Sequence, residues 1–292
     1  MIFKGVATAL ITPFNENGVD VDALVKLLDY QYRSGVDAVV VLGTTGEPAT
    51  MTEKEKELTV SVAVNMLKGK IPVIVGAGSN STQQAIATCK TAERLGADGL
   101  LVVTPYYNKC TQEGLLRHYG AICESTSLPV IAYNVASRTG VNMLPSTFGT
   151  LLREHKNLVG IKEASGNMEQ IEQCLRLANG KASVISGDDA LTVPITAMGG
   201  DGVISVASNV CPEYVCEMTK CALNGDMKKA AKMQLELLPL ISALFCEVNP
   251  IPVKCAMKML GYCNGKLRLP LTPLTSANEQ KLKTLIDCFV KN

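Results

Sequence analysis

The chain has 292 residues, of which 47% are hydrophobic, and its formal net charge is +1. This length and apolar content allow a large core in one or two domains. A near-neutral chain without long runs of one charge is not expected to bind nucleic acid or an anionic membrane as its main partner. A small-molecule ligand fits this composition better.

The 11 cysteines and two histidines do not follow a metal-binding pattern. The cysteine count is odd, and no pair has the C-x-x-C spacing of a zinc site, so we expect no metal. The N-terminal apolar run, broken by Pro13, is too short for a membrane span and favours a first strand over a signal peptide. Unpaired thiols without an export signal predict a cytoplasmic protein.

Eight short runs rich in Val, Ile, Leu and Ala recur along the chain. They are nearly continuous rather than alternating, which is typical of parallel strands covered on both faces. The predicted strands lie at 6–12, 38–43, 72–78, 99–105, 129–135, 158–165, 182–189 and 202–209.

The segments between these strands have helical spacing and helix-start signals. Thr52 and Ser81 each begin a predicted capping box, with Glu55 and Gln84 three residues later, and Asn167 is a predicted cap for the helix after the sixth strand. An open doubly wound sheet would also alternate strands and helices. Eight near-regular units within about 210 residues favour a closed (β/α)8 TIM barrel.

The strand pattern stops at about residue 226. Segments 226–245 and 250–261 have helical spacing, and a last helix is predicted to begin near Ser276. The sequence therefore predicts a (β/α)8 barrel catalytic domain over 1–225 and a C-terminal helical domain over 226–292.

Active sites of (β/α)8 barrels lie at the C-terminal ends of the strands. In this chain, hydroxyl groups, tyrosines, one lysine and one arginine follow the strands at that edge. His118 and His155 fall in helical segments instead. Histidine acid–base catalysis and a metal centre are therefore not expected.

Lys162 lies in the middle of the sixth apolar run. Leu158, Gly160 and Lys162 share one face of this strand, and Glu163 lies on the other. The small residues Gly160 and Ala164 leave room for the lysine inside the barrel, where lost hydration favours the neutral amine. Such an amine can form a Schiff base with a ketone. The alternative is a structural ion pair, and Glu163 is its obvious partner, although a regular strand directs it away.

Three neighbouring features fit this chemistry, and each has a plainer alternative. Tyr133 ends the adjacent strand, where its phenol would carry protons or simply pack with its hydroxyl on a backbone carbonyl. Thr44 and Thr45 offer hydroxyls and backbone N–H groups to a carboxylate, or cap a glycine-rich turn. Arg138 would hold a second carboxylate in a bidentate manner, or remain a solvated loop arginine.

At these residues the chain resembles the dihydrodipicolinate synthases, pyruvate-dependent class I aldolases related to N-acetylneuraminate lyase. The resemblance covers essentially the whole chain and is carried by the blocks GTTGE, VVTPYYNK, YNVASRTG, GIKEASGN, SGDD and GVISV. It implies condensation of pyruvate with L-aspartate 4-semialdehyde to 4-hydroxy-tetrahydrodipicolinate, in lysine and diaminopimelate biosynthesis. It also implies that no cofactor is needed, and that the assembly is a dimer of dimers.

The resemblance implies residue roles as well. Lys162 would form the Schiff base, Tyr133 would be the general acid and base, and Thr44 and Tyr107 would complete a proton relay, with Tyr107 from a neighbouring subunit. The implied substrate-binding residues are Thr45, Arg138, Gly187 and Ile204.

At a regulatory site, the chain differs from the residue pattern of the family that it resembles. Members inhibited by lysine bind it at a subunit interface with a histidine and a glutamate, and here the matching positions are Lys56 and Gln84. Pro48 and Glu53 also differ from the regulated pattern, whereas the remaining positions are retained. The retained positions are Ala49, Asn80 and Tyr106. A cation at residue 56 repels a lysine ligand, so weak or absent inhibition by L-lysine is predicted.

Two other functions remain open from the sequence. One is a sister aldolase that acts on N-acetylneuraminate or a 2-keto-3-deoxy sugar acid. The other is a non-catalytic barrel that binds a keto acid, since fold alone does not determine function.

Overall fold

The computed structural model describes residues 1–289, in which eight parallel strands form a closed barrel. All the strands are numbered here in chain order. They are β1 (Gly5–Ala9), β2 (Phe14–Asn15), β3 (Gly18–Val19), β4 (Ala38–Val41), β5 (Val73–Gly76), β6 (Gly99–Val103), β7 (Val130–Asn134), β8 (Leu158–Glu163), β9 (Ser183–Ser186) and β10 (Gly202–Ser205). The barrel closes in the order β1-β10-β9-β8-β7-β6-β5-β4, and β2 and β3 form a separate antiparallel hairpin.

Helices alternate with the barrel strands and then continue alone to the end of the described chain. They are α1 (Val21–Arg33), α2 (Glu53–Leu67), α3 (Thr82–Arg94), α4 (Gln112–Glu124), α5 (Ala136–Thr139), α6 (Pro145–Glu154), α7 (Met168–Ala178), α8 (Thr192–Ala197), α9 (Pro212–Leu223), α10 (Met227–Leu244), α11 (Ile251–Met259) and α12 (Ser276–Phe289). The order confirms the predicted (β/α)8 barrel with C-terminal helices.

Seven of the eight predicted strands contain the observed one, and the first differs only in that β1 begins one residue earlier, at Gly5; all eight observed strands are shorter. The apolar runs extend past the ladder because their last residues form turns at the barrel mouth, such as the 3-10 turn Ala207–Asn209 after β10. The β2–β3 hairpin was not predicted, since strands of two residues leave no periodic pattern. Residues of the barrel strands are almost all buried and form one continuous core with the surrounding helices.

The predicted helix starts are confirmed with one difference. Thr52 and Glu55 form a complete capping box at α2, and the side chain of Asn167 accepts the Gln170 N–H at 3.2 Å at α7. Ser81 accepts the N–H of Gln84 at 3.4 Å without a reciprocal bond, because the Ser81 N–H is donated to Ser79.

The C-terminal helices pack on the side of the barrel formed by α8 and α9. Helix α10 lies against both, and α12 packs on α10 and α11. Leu282 and Ile286 of α12 are buried in these contacts. Within residues 1–289, no helix combines the length and apolar character needed to cross a membrane.

Candidate active site

A cavity of about 370 Å³ opens at the C-terminal ends of the barrel strands. The turns that follow β4, β7 and β9, together with the end of β8, supply most of its polar groups. Six of the predicted site residues line it: Thr44, Thr45, Tyr133, Arg138, Lys162 and Gly187.

Lys162 and Tyr133 are direct neighbours across the β7–β8 ladder. Because paired residues of parallel strands point to the same face, both side chains enter the barrel. The Lys162 Nζ lies 4.2 Å from the centroid of the Tyr133 ring. Lys162 is only 6% exposed, and within the described part of the chain no carboxylate forms an ion pair with it.

Glu163, the alternative partner for Lys162, points away from the cavity as the strand period predicted. Its carboxylate accepts the Ser165 N–H at 2.8 Å and side-chain N–H groups of Asn134 and Gln170 at 3.1 Å each. This buried network satisfies Glu163 between the barrel and α7. The lysine and the glutamate are therefore separated onto opposite faces of β8.

Gly187 follows β9 and lies directly against the lysine. A Cβ atom at this position would stand 3.0 Å from Cε of Lys162 and 2.7 Å from Cβ of Ala164. Both distances are tighter than ordinary van der Waals contact. A glycine at 187 therefore makes the space that Lys162 occupies.

The GTTGE turn after β4 brings one threonine to the cavity surface and buries the other. Thr44 is exposed and lines the cavity, whereas Thr45 is 3% exposed. The Thr45 Oγ1 accepts a hydrogen bond from Nδ2 of Asn249 at 2.9 Å. The turn ends at Glu47, which has a left-handed backbone (φ 56°) and forms a buried ion pair with Lys254.

The other predicted residues lie at different depths. Arg138 lies on α5 with its side chain exposed at the cavity rim. Tyr107 is 91% exposed, has φ of 71° and lines neither cavity. Ile204 is buried in β10, and Val206 rather than Ile204 lines the cavity. The predicted role of the Ile204 backbone stays a prediction.

Asp189 fixes the ends of β9 and β10 to one another. Its carboxylate accepts the Ser205 hydroxyl at 2.5 Å and the N–H groups of Val206 and Ala207 at 2.9 and 3.1 Å. Burial raises the pKa of Asp189, and these hydrogen bonds oppose the rise. Its role is therefore structural.

Residues 1–289 contain no group of three or more His, Cys, Asp or Glu side chains that could hold a metal ion.

A second cavity, of about 670 Å³, adjoins the first and shares Thr44, Tyr133 and Arg138 with it. Six of the seven predicted regulatory-site positions line it: Pro48, Ala49, Glu53, Lys56, Gln84 and Tyr106. Nζ of Lys56 lies 2.8 Å from Oε1 of Glu53, which places an ion pair at this cavity. Asn80 is not among the lining residues, and its carbonyl accepts Nδ2 of Asn108 at 3.0 Å.

Several lining residues of the first cavity were not predicted from the sequence. Ile241, Ser242, Phe245 and Asn249 come from α10 and the segment before α11. No local pattern marks them, because they meet the barrel mouth only through tertiary packing. The C-terminal helices therefore form one wall of the cavity.

The fold and the place of the cavity are those of the (β/α)8-barrel enzymes, whose active sites lie at the C-terminal ends of the strands. The model of the dihydrodipicolinate synthetase family matches residues 2–288. The chain belongs to that family.

Relatives resemble the chain over nearly its full length. The 4-hydroxy-tetrahydrodipicolinate synthase of Alkaliphilus oremlandii is 50% identical over 281 residues, which cover 96% of this chain and 97% of that protein. The crystal structure of dihydrodipicolinate synthase from Thermotoga maritima is 46% identical, with a TM-score of 0.97 over 98% of each chain. The chloride-inhibited enzyme of Acinetobacter baumannii, complexed with pyruvate, is 39% identical, with a TM-score of 0.96 over 99% of this chain and 100% of that one.

Proposed function

We propose that the protein condenses pyruvate with L-aspartate 4-semialdehyde to give 4-hydroxy-tetrahydrodipicolinate, through a Schiff base on Lys162. Family membership and the names of the relatives support this reaction. The observation that carries it is the buried Lys162 amine, which lies beside Tyr133 at the cavity and has no carboxylate partner among residues 1–289.

In the first half-reaction, Nζ of Lys162 attacks the C2 carbonyl of pyruvate. The carbinolamine loses water, and Tyr133 donates the proton that makes the hydroxyl a leaving group. Loss of a proton from the C3 methyl group of the iminium then gives an enamine. The positive iminium nitrogen takes up the electron pair, so no further electron sink is required.

In the second half-reaction, C3 of the enamine attacks the aldehyde carbon and forms the new C–C bond. The aldehyde oxygen takes a proton and becomes the hydroxyl of the product. The amine of the former semialdehyde then attacks the iminium carbon and displaces Lys162, which closes the ring and regenerates the free lysine. Thr44 and Tyr107 are proposed to relay protons between Tyr133 and solvent.

Substrate binding is assigned to the polar groups around the lysine. Thr45 and the backbone near Ile204 are proposed to hold the pyruvate carboxylate, with Gly187 against the reacting carbon. Arg138 at the rim is proposed to bind the carboxylate of the semialdehyde. A volume of about 370 Å³ suits two small substrates.

The exposure of Tyr107 supports an oligomer, which we propose is a dimer of dimers. A side chain that is 91% exposed and lines neither cavity of its own chain is available to a neighbouring chain. The 11 cysteines are all unpaired, which fits action in a reducing cytoplasm.

The test is intact-mass analysis after incubation with pyruvate and borohydride. We expect one reduced pyruvate adduct per chain, mapped to Lys162, and no adduct on Lys162→Ala. Lys181→Ala, which removes an exposed lysine outside the cavity, should be labelled like the wild type. Condensation with the semialdehyde should be assayed beside cleavage of N-acetylneuraminate. An adduct on another lysine, or none, would refute the mechanism, and preferred sugar-acid cleavage would refute the substrate.

A further inference from the structure

Asn249 lies outside the barrel sequence yet belongs to the catalytic cavity. It stands just before α11, lines both cavities and is only 6% exposed. Its Nδ2 donates to Oγ1 of Thr45 at 2.9 Å, across 204 residues of sequence. This bond therefore connects the C-terminal region directly to the GTTGE turn.

The direction of this hydrogen bond determines what Thr45 offers to a ligand. A threonine hydroxyl has one proton and two acceptor lone pairs. Since Asn249 donates into a lone pair, the single proton of Thr45 stays available for another acceptor. A hydroxyl held in this way presents a donor, which is the polarity that a carboxylate requires.

We propose that Asn249 is a positioning residue that keeps the Thr45 hydroxyl as a donor to the carboxylate of the 2-oxo acid. The inference rests on the proposed function, because it concerns how that site binds its first substrate. Asn249 acts through Thr45 and does not itself have to touch the reacting atoms.

Two further observations support a binding role over a purely structural one. The Asn249 Oδ1 is buried and has no hydrogen-bond partner within the described residues. An unpaired buried acceptor costs free energy, so this amide is not optimised for stability. In addition, the buried Glu47–Lys254 ion pair already holds the two segments that the Asn249–Thr45 bond joins, so that bond is not the sole link between them. Glu47 lies two residues after Thr45, and Lys254 lies five residues after Asn249.

The test compares pyruvate binding in Asn249→Ala, Asn249→Asp and Thr45→Val. We expect Asn249→Ala to raise the KM for pyruvate about tenfold and to leave the KM for the semialdehyde within about twofold. The pyruvate concentration that gives half-maximal borohydride trapping should rise by the same factor. Asn249→Asp should be worse, because a carboxylate only accepts and takes the Thr45 proton away from the substrate.

A double variant gives the readout that a general loss of stability would not produce. If Asn249 acts through Thr45, adding Asn249→Ala to Thr45→Val should change pyruvate binding no further. Asn278→Ala is the matched control, because it removes another asparagine hydrogen bond of the C-terminal region, to Glu247 at 2.8 Å, and neither of these two residues lines a cavity. It should leave the KM for pyruvate unchanged.

The outcomes separate this inference from the proposed function. Wild-type protein that neither traps pyruvate nor condenses it would refute the function itself. Wild-type activity together with an unchanged pyruvate KM in Asn249→Ala, or independent effects in the double variant, would refute the inference alone. If Asn249→Ala does not fold, the KM for pyruvate of the nearly isosteric Asn249→Asp is compared with that of the wild type instead, and an unchanged value refutes the inference.

Discussion

Glu47 and Lys254 form an ion pair inside the protein, with 2.5 Å between Oε1 and Nζ and both side chains at most 2% exposed. Lys254 also donates to the Lys266 carbonyl at 2.8 Å and lies over the Phe14 ring. Burial lowers the pKa of Lys254, and Glu47 opposes this effect. The pair fixes the GTTGE turn against α11, so this turn and α11 are one structural unit.

Breaking this pair on one side should destabilise the protein strongly. Lys254→Met leaves the Glu47 carboxylate buried without its partner, which we expect to cost about 3–5 kcal/mol of unfolding free energy. Urea unfolding at a fixed protein concentration measures this loss.

Two further variants distinguish an unpaired charge from lost packing. Combining Glu47→Gln with Lys254→Met removes both charges and should recover most of the loss. Lys266→Met breaks an ion pair with the exposed Glu16 and should cost less than about 1 kcal/mol. A double variant no more stable than Lys254→Met would show that the charge is not the cause.

Gly187→Ala tests the space that Lys162 needs for its proposed Schiff-base role. The new Cβ would stand 2.7 Å from Cβ of Ala164 and 3.0 Å from Cε of Lys162, so both neighbours must shift. A misplacement of the reacting group that reaches about 1 Å costs about a hundredfold in rate. Steady-state kinetics should therefore show a fall in kcat/KM of that order, with slower borohydride trapping at Lys162. Gly149→Ala, on α6 against the side chain of Leu177, is the control and should retain activity.

The sequence was sufficient to predict the barrel and the two faces of β8, and the reason is local in both cases. Each strand is a continuous apolar run, and the two-residue period of β8 alone placed Lys162 and Glu163 on opposite faces. Asn249 and Lys254 carry no such pattern. Their partners are about two hundred residues away in the chain, so only tertiary packing reveals that they belong to the GTTGE turn.

His118 should make stability depend on pH. Burial on α4 lowers its pKa to about 4 from the ordinary value of 6.5, and its Nδ1 lies 2.9 Å from the Thr82 hydroxyl. Below pH 6.5, His118 binds a proton in the unfolded chain but stays neutral in the folded protein until the pH approaches 4. The His118 contribution to the unfolding free energy is therefore fully present above pH 6.5 and is lost as the pH drops toward 4.

The measurement is the unfolding free energy of wild type and His118→Gln between pH 7 and pH 4. We expect the wild type to lose up to about 1 kcal/mol more per pH unit than the variant below pH 6. Carboxylates titrate in both proteins, so their contribution cancels in the difference. Parallel curves would mean that His118 is protonated equally in both states.

Hybrid oligomers can show whether Tyr107 acts in a neighbouring subunit. Tyr107→Phe and Lys162→Ala should each be inactive alone. After the two are mixed and allowed to exchange subunits, a site with intact Lys162 in one chain can receive intact Tyr107 from the other. Activity should therefore return in the mixture. It would stay absent if Tyr107 served its own chain, which its 91% exposure argues against.

L-lysine should inhibit the enzyme weakly or not at all, because the second cavity already holds the Lys56 cation next to Glu53. Exchanging Lys56→His and Gln84→Glu removes that positive charge and adds a negative one, so lysine binding should strengthen at least tenfold. Titration of activity with lysine measures the change. Lys54→His with Gln83→Glu makes the same exchanges at exposed positions of α2 and α3 outside the cavity, and should have no effect. Strong inhibition of the wild type at millimolar lysine would contradict this account of the cavity.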